Sequence, residues 1–371
     1  MIAVLGRSLV TTSSTPTVGI VGLGYGRAHI PAFQAHGCRV VALCQRDRAA
    51  AQTIAARYGV PDVFDRWEAM LDAARPEIVV IATPPHLHRA ITLRALEGGA
   101  HVLCEKPLAM TAAEGRAMAE AARRAGRVAM TSFNWRFPTA MRELHARVGE
   151  GAVGRVFHLG GRWLGGRFAD PSAAATWRVD RAQAGHGAMG DAGVHLIDLI
   201  RWSFGEFRRV VALAGTAYPS RTLPGASRPA DAEDYCMVLA ELAGGAEVTL
   251  NVSRAANGMT EQTLEVFGER GSLAYRMLRE GRWWDGELRA SDKGAGFKPV
   301  TPREPSGLEG AQTDVSDIIG KATIAPLVAL FLEGIRTGVT PSPSFDDGVR
   351  AQAVLDAVGE SAARGGWVDL P

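Results

Sequence analysis

The fold is decided by the stretch Val18-Gly19-Ile20-Val21-Gly22-Leu23-Gly24-Tyr25-Gly26-Arg27-Ala28-His29. It has the form of an apolar strand that runs through a glycine-rich turn into a helix. Gly22 suits the tight turn, Gly24 lets a pyrophosphate approach the backbone, and the start of the helix supplies N–H groups and a positive dipole end. The spacing departs from G-x-G-x-x-G, because Gly26 comes one position early and Arg27 occupies the expected slot. Taken alone, the cluster is a weak signal that a plain tight turn would also explain, and the surrounding alternating pattern favours dinucleotide binding.

Around this turn, short apolar runs alternate with Ala-rich segments of helical period up to about residue 133. Near-continuous Val/Ile runs joined by helices indicate a parallel sheet buried on both faces. We therefore predict an α/β Rossmann dinucleotide-binding domain over residues 17–133, preceded by an N-terminal extension over residues 1–16. Strands are predicted at Thr17–Gly22, Arg39–Cys44, Glu77–Ala82, His101–Cys104 and Arg127–Thr131, and helices at Ala28–His36, Arg48–Tyr58, Trp67–Ala74, His88–Glu97 and Ala112–Ala125.

After Asn134 the pattern changes to longer strand-like segments, and Gly244-Gly245 separates two of them as a hairpin turn would. We predict an α+β domain over residues 134–371, with a large, mainly antiparallel sheet and helices on one face. Residues 278–315 are expected to form a long polar loop. Strands are predicted at Arg155–Trp163, Arg208–Tyr218, Tyr235–Leu242, Ala246–Arg254 and Gln262–Met277, and helices at Thr139–Val148, Gly193–Phe204, Pro326–Thr337 and Asp346–Ala363.

Composition limits the classes of function. The 371 residues are 47% hydrophobic and 22% charged, and 41 basic against 39 acidic residues give a formal charge of +2, which indicates no nucleic-acid or anionic-membrane partner. No apolar run approaches the roughly 18 residues that span a bilayer, and the first 16 residues lack the features of a signal peptide. The four cysteines form no CxxC pair and are expected to be buried in a reducing compartment, which predicts a cytoplasmic protein.

The end of the second predicted strand bears on the choice of cofactor. NAD enzymes usually carry an acid there that bonds the ribose 2′-OH, but here Cys44 is followed by Gln45 and Arg46. Asp47 is expected to cap the helix that starts at Arg48. Arg46 can pair with the 2′-phosphate of NADP, or it can stack on adenine and accept both cofactors. The sequence slightly favours NADP over NAD.

A strand-end lysine is the first candidate for catalysis. Glu105-Lys106-Pro107 follows the apolar run His101–Cys104, at the carboxyl end of a predicted parallel strand. Crevices outside these strand ends are where doubly wound sheets bind ligands. A lysine at this place can hydrogen-bond a substrate hydroxyl and shift its pKa.

The second candidate is the cluster in Gly185–Asp198. On a regular helix Asp191, His195 and Asp198 fall at i, i+4 and i+7 on one face. A carboxylate one turn away can orient an imidazole and raise its pKa, which suits proton abstraction from an alcohol. A purely structural hydrogen bond and a metal site including His186 are the alternatives, but no ligand set has convincing zinc spacing, so no metal is predicted.

Together these elements resemble the Gfo/Idh/MocA family of oxidoreductases, related to glucose–fructose oxidoreductase and inositol dehydrogenase. The resemblance runs from about Thr17 to the end of the chain. Its motifs are Ala82-Thr83-Pro84-Pro85-His86-Leu87-His88, His101–Leu108, Asn134-Trp135-Arg136-Phe137, Trp177-Arg178 and Gly190–Asp198.

The resemblance implies a Rossmann domain, a C-terminal α/β domain whose open sheet face makes homodimers or homotetramers, and a site assigned residue by residue. Lys106, Asp191 and His195 would surround the reacting carbinol. The cofactor would contact Gly22, Gly24, Tyr25, Gly26, Gln45, Arg46, Thr83, Pro84, His88, Glu105 and Lys106. The substrate would contact Lys106, Trp135, Arg136, Trp177, Arg178, His186, Asp191 and His195.

The predicted activity is transfer of a hydride between NAD(P) and a secondary hydroxyl or ketone of a sugar, cyclitol or related polyol. His195 would be the general base, Lys106 would bond the reacting oxygen, and Asp191 would orient His195. Two alternatives remain on the same fold. One is a glycoside hydrolase that uses transient oxidation by a tightly held NAD, and the other is a non-catalytic sugar-sensing regulator, which would not need all three of these side chains.

Overall fold

The computed structural model describes residues 15–223, 226–278, 283–304 and 314–371. Its first part is a six-stranded parallel sheet with helices on both faces. The strands are β1 Thr17–Val21, β2 Arg39–Cys44, β3 Asp62–Phe64, β4 Ile78–Ile81, β5 His101–Cys104 and β6 Ala129–Thr131, and the helices are α1 His29–Ala35, α2 Arg48–Tyr58, α3 Trp67–Ala74, α4 His88–Glu97 and α5 Ala112–Ala125. Their order in the sheet is β3-β2-β1-β4-β5-β6, which confirms the predicted Rossmann fold.

One strand of this sheet, β3, was not predicted. It has only three residues, and none of them is fully buried, so the sequence carries no apolar run at this place. Hydrogen bonds from β2 hold it at the sheet edge, where Gln45 N–H donates to the carbonyl of Phe64. The predicted cap of α2 is confirmed, because the Asp47 carboxylate accepts from the N–H of Ala50 at 3.0 Å.

The second part is a nine-stranded, mainly antiparallel sheet. Its elements in chain order are α6 Thr139–Gly149, β7 Val156–Gly165, α7 Arg181–Ala184, α8 Val194–Phe204, β8 Phe207–Gly215, β9 Ser220–Leu223, β10 Ala226–Pro229, β11 Tyr235–Leu242, β12 Glu247–Ser253, β13 Thr260–Gly268, β14 Gly271–Leu278, β15 Glu287–Asp292, β16 Lys298–Val300, α9 Val315–Ile319, α10 Ala325–Thr337, α11 Phe345–Arg364 and β17 Val368–Asp369. The order is β16-β15-β14-β13-β7-β12-β11-β8-β17, with β12 and β7 parallel.

Three predictions in this part were wrong in detail. Gln262–Met277 is not one strand but the hairpin β13–β14, because both arms are apolar and only a short polar turn separates them. Residues 278–315 are not all loop, since they contribute β15 and β16 to the sheet edge. The separate hairpin β9–β10 was not predicted either.

The stretch Val315–Thr337 is one continuous apolar segment, in which a π-turn at Gly320–Ile324 joins α9 to α10. By length and composition it could cross a membrane, so the expectation that no run is long enough was wrong. Here 56% of its apolar 18-residue window is buried inside the protein. Phe331 meets Phe33 of α1 with ring centroids 6.5 Å apart, so the segment packs as a core helix on the first sheet.

The last helix, α11, returns from the second sheet to the first. It packs against α5 on one side and against β8 and α8 on the other. Met130 of β6 also pairs with Ser344, directly before α11. The two sheets are thereby held around one shared cleft, and all four cysteines are free and buried, as expected.

Candidate functional site

A cleft of about 1100 Å³ runs along the carboxyl ends of the parallel strands and continues to the end of β7 and β13 in the second sheet. It brings together most of the predicted site residues. Those that line it are Gly22, Gly24, Tyr25, Gln45, Arg46, Thr83, Pro84, Glu105, Lys106, Trp135, Trp177, Arg178, His186, Asp191 and His195.

The glycine turn has the shape that a dinucleotide needs. Gly22 has a φ of +89°, and a Cβ there would lie 2.5 Å from the carbonyl oxygen of Ala82. A Cβ on Gly26 would lie 2.9 Å from the Cβ of Ala82, so this glycine provides close packing of turn against strand rather than a cofactor contact. By contrast, a Cβ on Gly24 would meet nothing within 4 Å, which leaves the backbone open to the cleft. The hydroxyl of Thr83, opposite, is buried without a hydrogen-bond partner in the protein, so the residues present fit a bound NAD(P).

At the end of the cleft next to β2, Gln45 does not take the role of the carboxylate that NAD enzymes usually carry after this strand. Its carbonyl oxygen accepts the N–H of Leu23 at 2.9 Å and so holds the glycine turn. Arg46 also lines the cleft, and no hydrogen bond to another described residue holds its side chain in place. The unpredicted β3 brings further charged residues to the same end, among them Arg66, whose guanidinium lies 3.8 Å from the carboxylate of Glu68.

Lys106 is placed by the end of β5 and reaches across to the second cluster. Its ammonium donates to the backbone carbonyl of Asp191 at 2.6 Å and lies 3.8 Å from the carboxylate of Asp191. Burial lowers the pKa of Lys106 below its usual value, and the negative charges of Asp191 and Glu105 offset part of that effect. The carboxylate of Glu105, the residue before the lysine, accepts a hydrogen bond from Nε2 of His29 at 2.9 Å. This bond holds the carboxylate close to Lys106.

Asp191 lies in a π-turn, Met189–Gly193, and not in a regular helix. The turn is fixed by Glu233, whose carboxylate accepts the N–H groups of Gly187 and Met189 at 2.7 and 3.1 Å. Burial alone would raise the pKa of Asp191, but the charges of Lys106 and Arg178 keep it below its ordinary value.

The expected contact between Asp191 and His195 is not formed. The carboxylate is directed toward Lys106 and Arg178, and it makes no hydrogen bond to His195. The physical reason is the π-turn, whose i→i+5 pairing inserts a residue and breaks the i, i+4 register of a regular helix. Burial, followed by the charge of Lys106, lowers the pKa of His195 well below its usual value, where a carboxylate-raised pKa was expected.

Aromatic rings hold the imidazole of His195 instead. It is 3% exposed and stacks on Trp163 with ring centroids 5.4 Å apart and planes at 24°. Trp135 and Phe133 meet it edge-on at 6.3 and 6.2 Å. Its Nδ1 is buried without a partner, so Nε2 is the nitrogen left to act. The lowered pKa favours the neutral ring near pH 7, and the three aromatic contacts fix its position.

Besides Gly26, two predicted site residues do not line the cleft. Arg136 is 3% exposed and makes a bidentate ion pair with Asp198 at 2.5 and 2.7 Å, so it holds two helical segments together and does not face the cleft. His88 is fully buried at the start of α4, with Nε2 bonded to the carbonyl of Thr83 at 2.9 Å and Nδ1 close to the carbonyl of Pro107 at 3.0 Å. It ties two cleft loops together from behind.

Several residues that line the cleft were not predicted. Trp163 comes from the end of β7, Arg167 from the following loop, and Gln262 from β13, where its buried amide has no hydrogen-bond partner. Strand alternation could have placed Trp163 and Gln262 on the inner face, but no local motif marks them as part of a site. Among the described residues no group of three or more His, Cys, Asp or Glu is placed to hold a metal ion.

Comparison with known proteins agrees with this geometry. Residues 17–133 match the model of an oxidoreductase family with an NAD-binding Rossmann fold, and residues 141–274 match the GFO/IDH/MocA C-terminal domain. A levoglucosan dehydrogenase from Pseudarthrobacter phenanthrenivorans is 34% identical over 95% of this chain and 98% of its own length. An inositol 2-dehydrogenase from Rhizobium meliloti is 26% identical over 94% and 97%.

Solved structures show the same likeness. A levoglucosan dehydrogenase in complex with NADH and L-sorbose superimposes with a TM-score of 0.87 at 32% identity, covering 96% of this chain and 99% of the other. The same enzyme in complex with NADH and levoglucosan gives a TM-score of 0.86 at 31% identity, with 96% and 100% covered.

Proposed function

The chain belongs to the Gfo/Idh/MocA family of oxidoreductases, and from that premise we propose that it oxidises a secondary hydroxyl of a sugar, cyclitol or related polyol with NAD(P), or reduces the corresponding ketone. The observation that carries the proposal is that Lys106, at the end of β5, lies in one cleft with Asp191, His195 and the open Gly24 turn. The related levoglucosan and inositol dehydrogenases support it, and they do not favour the redox-neutral hydrolase or the sensor.

The proposed roles follow from charge and burial. When bound, the nicotinamide supplies the hydride acceptor for oxidation. Lys106 donates a hydrogen bond to the substrate oxygen and stabilises negative charge on it, while Nε2 of His195 takes the proton. A neutral imidazole is the form that can accept a proton, and the depressed pKa of His195 keeps it in that form. Asp191 positions Lys106, whose ammonium is bonded to its backbone carbonyl.

A second proposal concerns the choice between NADP and NAD. We propose that Arg46 favours NADP over NAD, because Gln45 is engaged with Leu23 and no carboxylate follows β2 directly. We also propose that residues 17–133 and 134–371 act as the cofactor and substrate halves, and that the protein works in the cytoplasm, which its four free cysteines support.

A homo-oligomer is the last part of the proposal. The face of the second sheet opposite the helices carries Leu213, Met237 and Leu239, which are 72%, 46% and 54% exposed. Met237 lies beside Leu213 in the register of β11 and β8, so the side chains form one apolar patch. Such patches mark interaction surfaces, and a second copy of this chain, as a dimer or within a tetramer, is the proposed partner.

The test is a panel of sugars and cyclitols, each offered with NAD and with NADP, followed by the absorbance of the reduced cofactor. Lys106→Ala and His195→Ala should each lower kcat by about 10²–10⁴, with the Kd for the reduced cofactor, measured by tryptophan fluorescence, largely kept. Lys298→Ala on the exposed edge strand β16 is the matched control and should behave as the unmodified protein. Near-normal turnover in either active-site variant contradicts its assigned role.

A further inference from the structure

The substrate end of the cleft carries more positive than negative charge. Lys106, Arg167 and Arg178 line it, and Asp191 is the carboxylate that they share. That carboxylate is 3.8 Å from Lys106 and 3.5 Å from Arg178. Both distances exceed the 2.7–2.9 Å of a charge-assisted hydrogen bond. Glu105 also lines the cleft next to Lys106, and its carboxylate is bonded to His29 at 2.9 Å. Three cations therefore face two carboxylates, of which Asp191 is only loosely shared.

The neighbouring guanidinium groups do not change this balance, because they have partners of their own. Arg254 donates to the carboxylate of Asp234 at 3.0 Å and to the carbonyl of Arg178 at 2.8 Å. Arg221 donates to the carbonyls of Phe168 and Asp170 and lies 3.6 Å from Asp234. Glu261, at the cleft edge, is paired with Arg162 at 3.1 Å and with Arg276 at 3.2 Å.

Arg167 differs from these residues. Its guanidinium carbon lies 5.5 Å from the ring centroid of Phe168, a ring that Arg254 also approaches at 4.8 Å. Within the described parts of the chain it makes no hydrogen bond or ion pair. Burial, followed by the positive charge of Arg178, lowers the pKa of Arg167, and the negative charge of Asp191 offsets only part of this effect.

Arg178 lines the same cleft as Arg167. Its guanidinium lies 4.3 Å above the ring of Trp177, and Trp177 also lines the cleft. Both guanidinium groups line the same cleft, and arginine binds a carboxylate through two parallel N–H bonds. Arg167 is exposed to solvent, so an anionic ligand in the cleft can reach its guanidinium and supply the negative charge that the cluster lacks.

We propose that the substrate is an acidic sugar, a uronate or aldonate, whose carboxylate is bound by Arg167 and Arg178 while its secondary hydroxyl faces Lys106 and His195. The proposal rests on the oxidoreductase function proposed above and adds a substrate class to it. A sugar phosphate shares the anionic chemistry, and the experiment separates the two sources.

The experiment compares hexuronates, hexonates, the matching neutral aldoses and hexose phosphates as substrates, with both cofactors. For the best acid we expect a KM about tenfold to a hundredfold below that of its neutral counterpart, which is the range for one hydrogen bond to a charged group. Raising NaCl to 0.5 M should narrow that difference, since salt screens exposed charges. A phosphate ester that outperforms every carboxylate would overturn the assignment to sugar acids.

Two variants and a binding measurement complete the test. Arg167→Gln should remove most of the preference for the acid over the neutral sugar, while Arg336→Gln, an exposed arginine of α10, should leave both KM values unchanged. Titration of the NADH-loaded protein with hexuronate should quench the fluorescence of the cleft tryptophans in the unmodified protein and require higher concentrations in Arg167→Gln. Neutral sugars turned over as efficiently as acids would overturn this inference and leave the proposed function intact. If hexuronate binds but no sugar is turned over, the proposed oxidoreductase function is overturned, whereas the proposed carboxylate-binding site at Arg167 and Arg178 is retained.

Discussion

At the scale of single residues, the cleft works by opposing charges that are only partly balanced. Burial, and after it the positive charge of Lys106, lowers the pKa of His195 well below its usual value, which favours the neutral imidazole. Burial lowers the pKa of Lys106, and the negative charges of Asp191 and Glu105 offset part of that effect. The imidazole depends on packing by Trp163 rather than on a carboxylate for its orientation.

The choice of cofactor depends on one residue in this account. Arg46→Ala should weaken binding of NADPH about tenfold to a hundredfold more than binding of NADH, because a charge-assisted bond to the 2′-phosphate is lost. The two Kd values are measured by fluorescence transfer from tryptophan to the reduced cofactor. Arg48→Ala, two residues further on in α2, is the control and should change neither value. An equal loss for both cofactors would mean that Arg46 stacks on adenine.

At the scale of elements, the sequence predicted the strand-end positions well and the polar contacts poorly. Lys106 was found because an apolar run followed by a charged residue marks the end of a buried strand. The orientation of Asp191 was not predicted because the π-turn depends on Glu233, which is 42 residues away in the chain. The carboxylate of Glu233 accepts hydrogen bonds from the backbone N–H groups of Gly187 and Met189 at the start of the turn. A Cβ on Gly187 would lie 1.9 Å from the carbonyl oxygen of Glu233, so the glycine-rich lead serves this close approach.

A half-buried histidine of β5, His101, makes the first sheet sensitive to acid. Burial and the charge of Arg127 lower the pKa of His101 to about 4, and its Nδ1 accepts the N–H of Val128 at 3.0 Å. The unfolded chain binds this proton near pH 6.5, whereas the folded protein does not bind it until about pH 4. Stability is therefore lost as pH falls from 6.5 toward 4, by up to about 3 kcal/mol.

Urea unfolding at pH 7.5 and 4.5 tests this expectation. His101→Asn keeps an acceptor for Val128 and removes the titration, so its free energy of unfolding should fall less between the two pH values than that of the unmodified protein. In the control His158→Asn, which changes an exposed histidine of β7, the free energy of unfolding should fall as much between the two pH values as it does in the unmodified protein. Equal losses in all three proteins would show that His101 is not protonated on unfolding in this range.

At the scale of the whole molecule, periodicity defined the two sheets but not how they meet. Val/Ile runs and Ala-rich segments predicted the parallel sheet, because both carry their signal within a few residues. The ion pair of Arg136 with Asp198 and the packing of α11 on α5 join segments 62 residues or more apart in the chain. No local pattern reports such contacts, so Arg136 was assigned to the substrate although it holds the shared core together.

The open face of the second sheet carries the last prediction. Leu213 and Leu239 are too exposed to contribute to the core of one chain, and a charge placed there should leave the fold intact while it disfavours burial against a partner. Leu239→Glu combined with Leu213→Lys should therefore shift the protein from oligomer to monomer in light scattering after size exclusion, with an unchanged circular dichroism spectrum. Val339→Glu, at an exposed apolar residue after α10, is the control and should keep the oligomer. An oligomer that survives the double substitution would place the interface elsewhere, and a monomeric unmodified protein would contradict the proposed assembly.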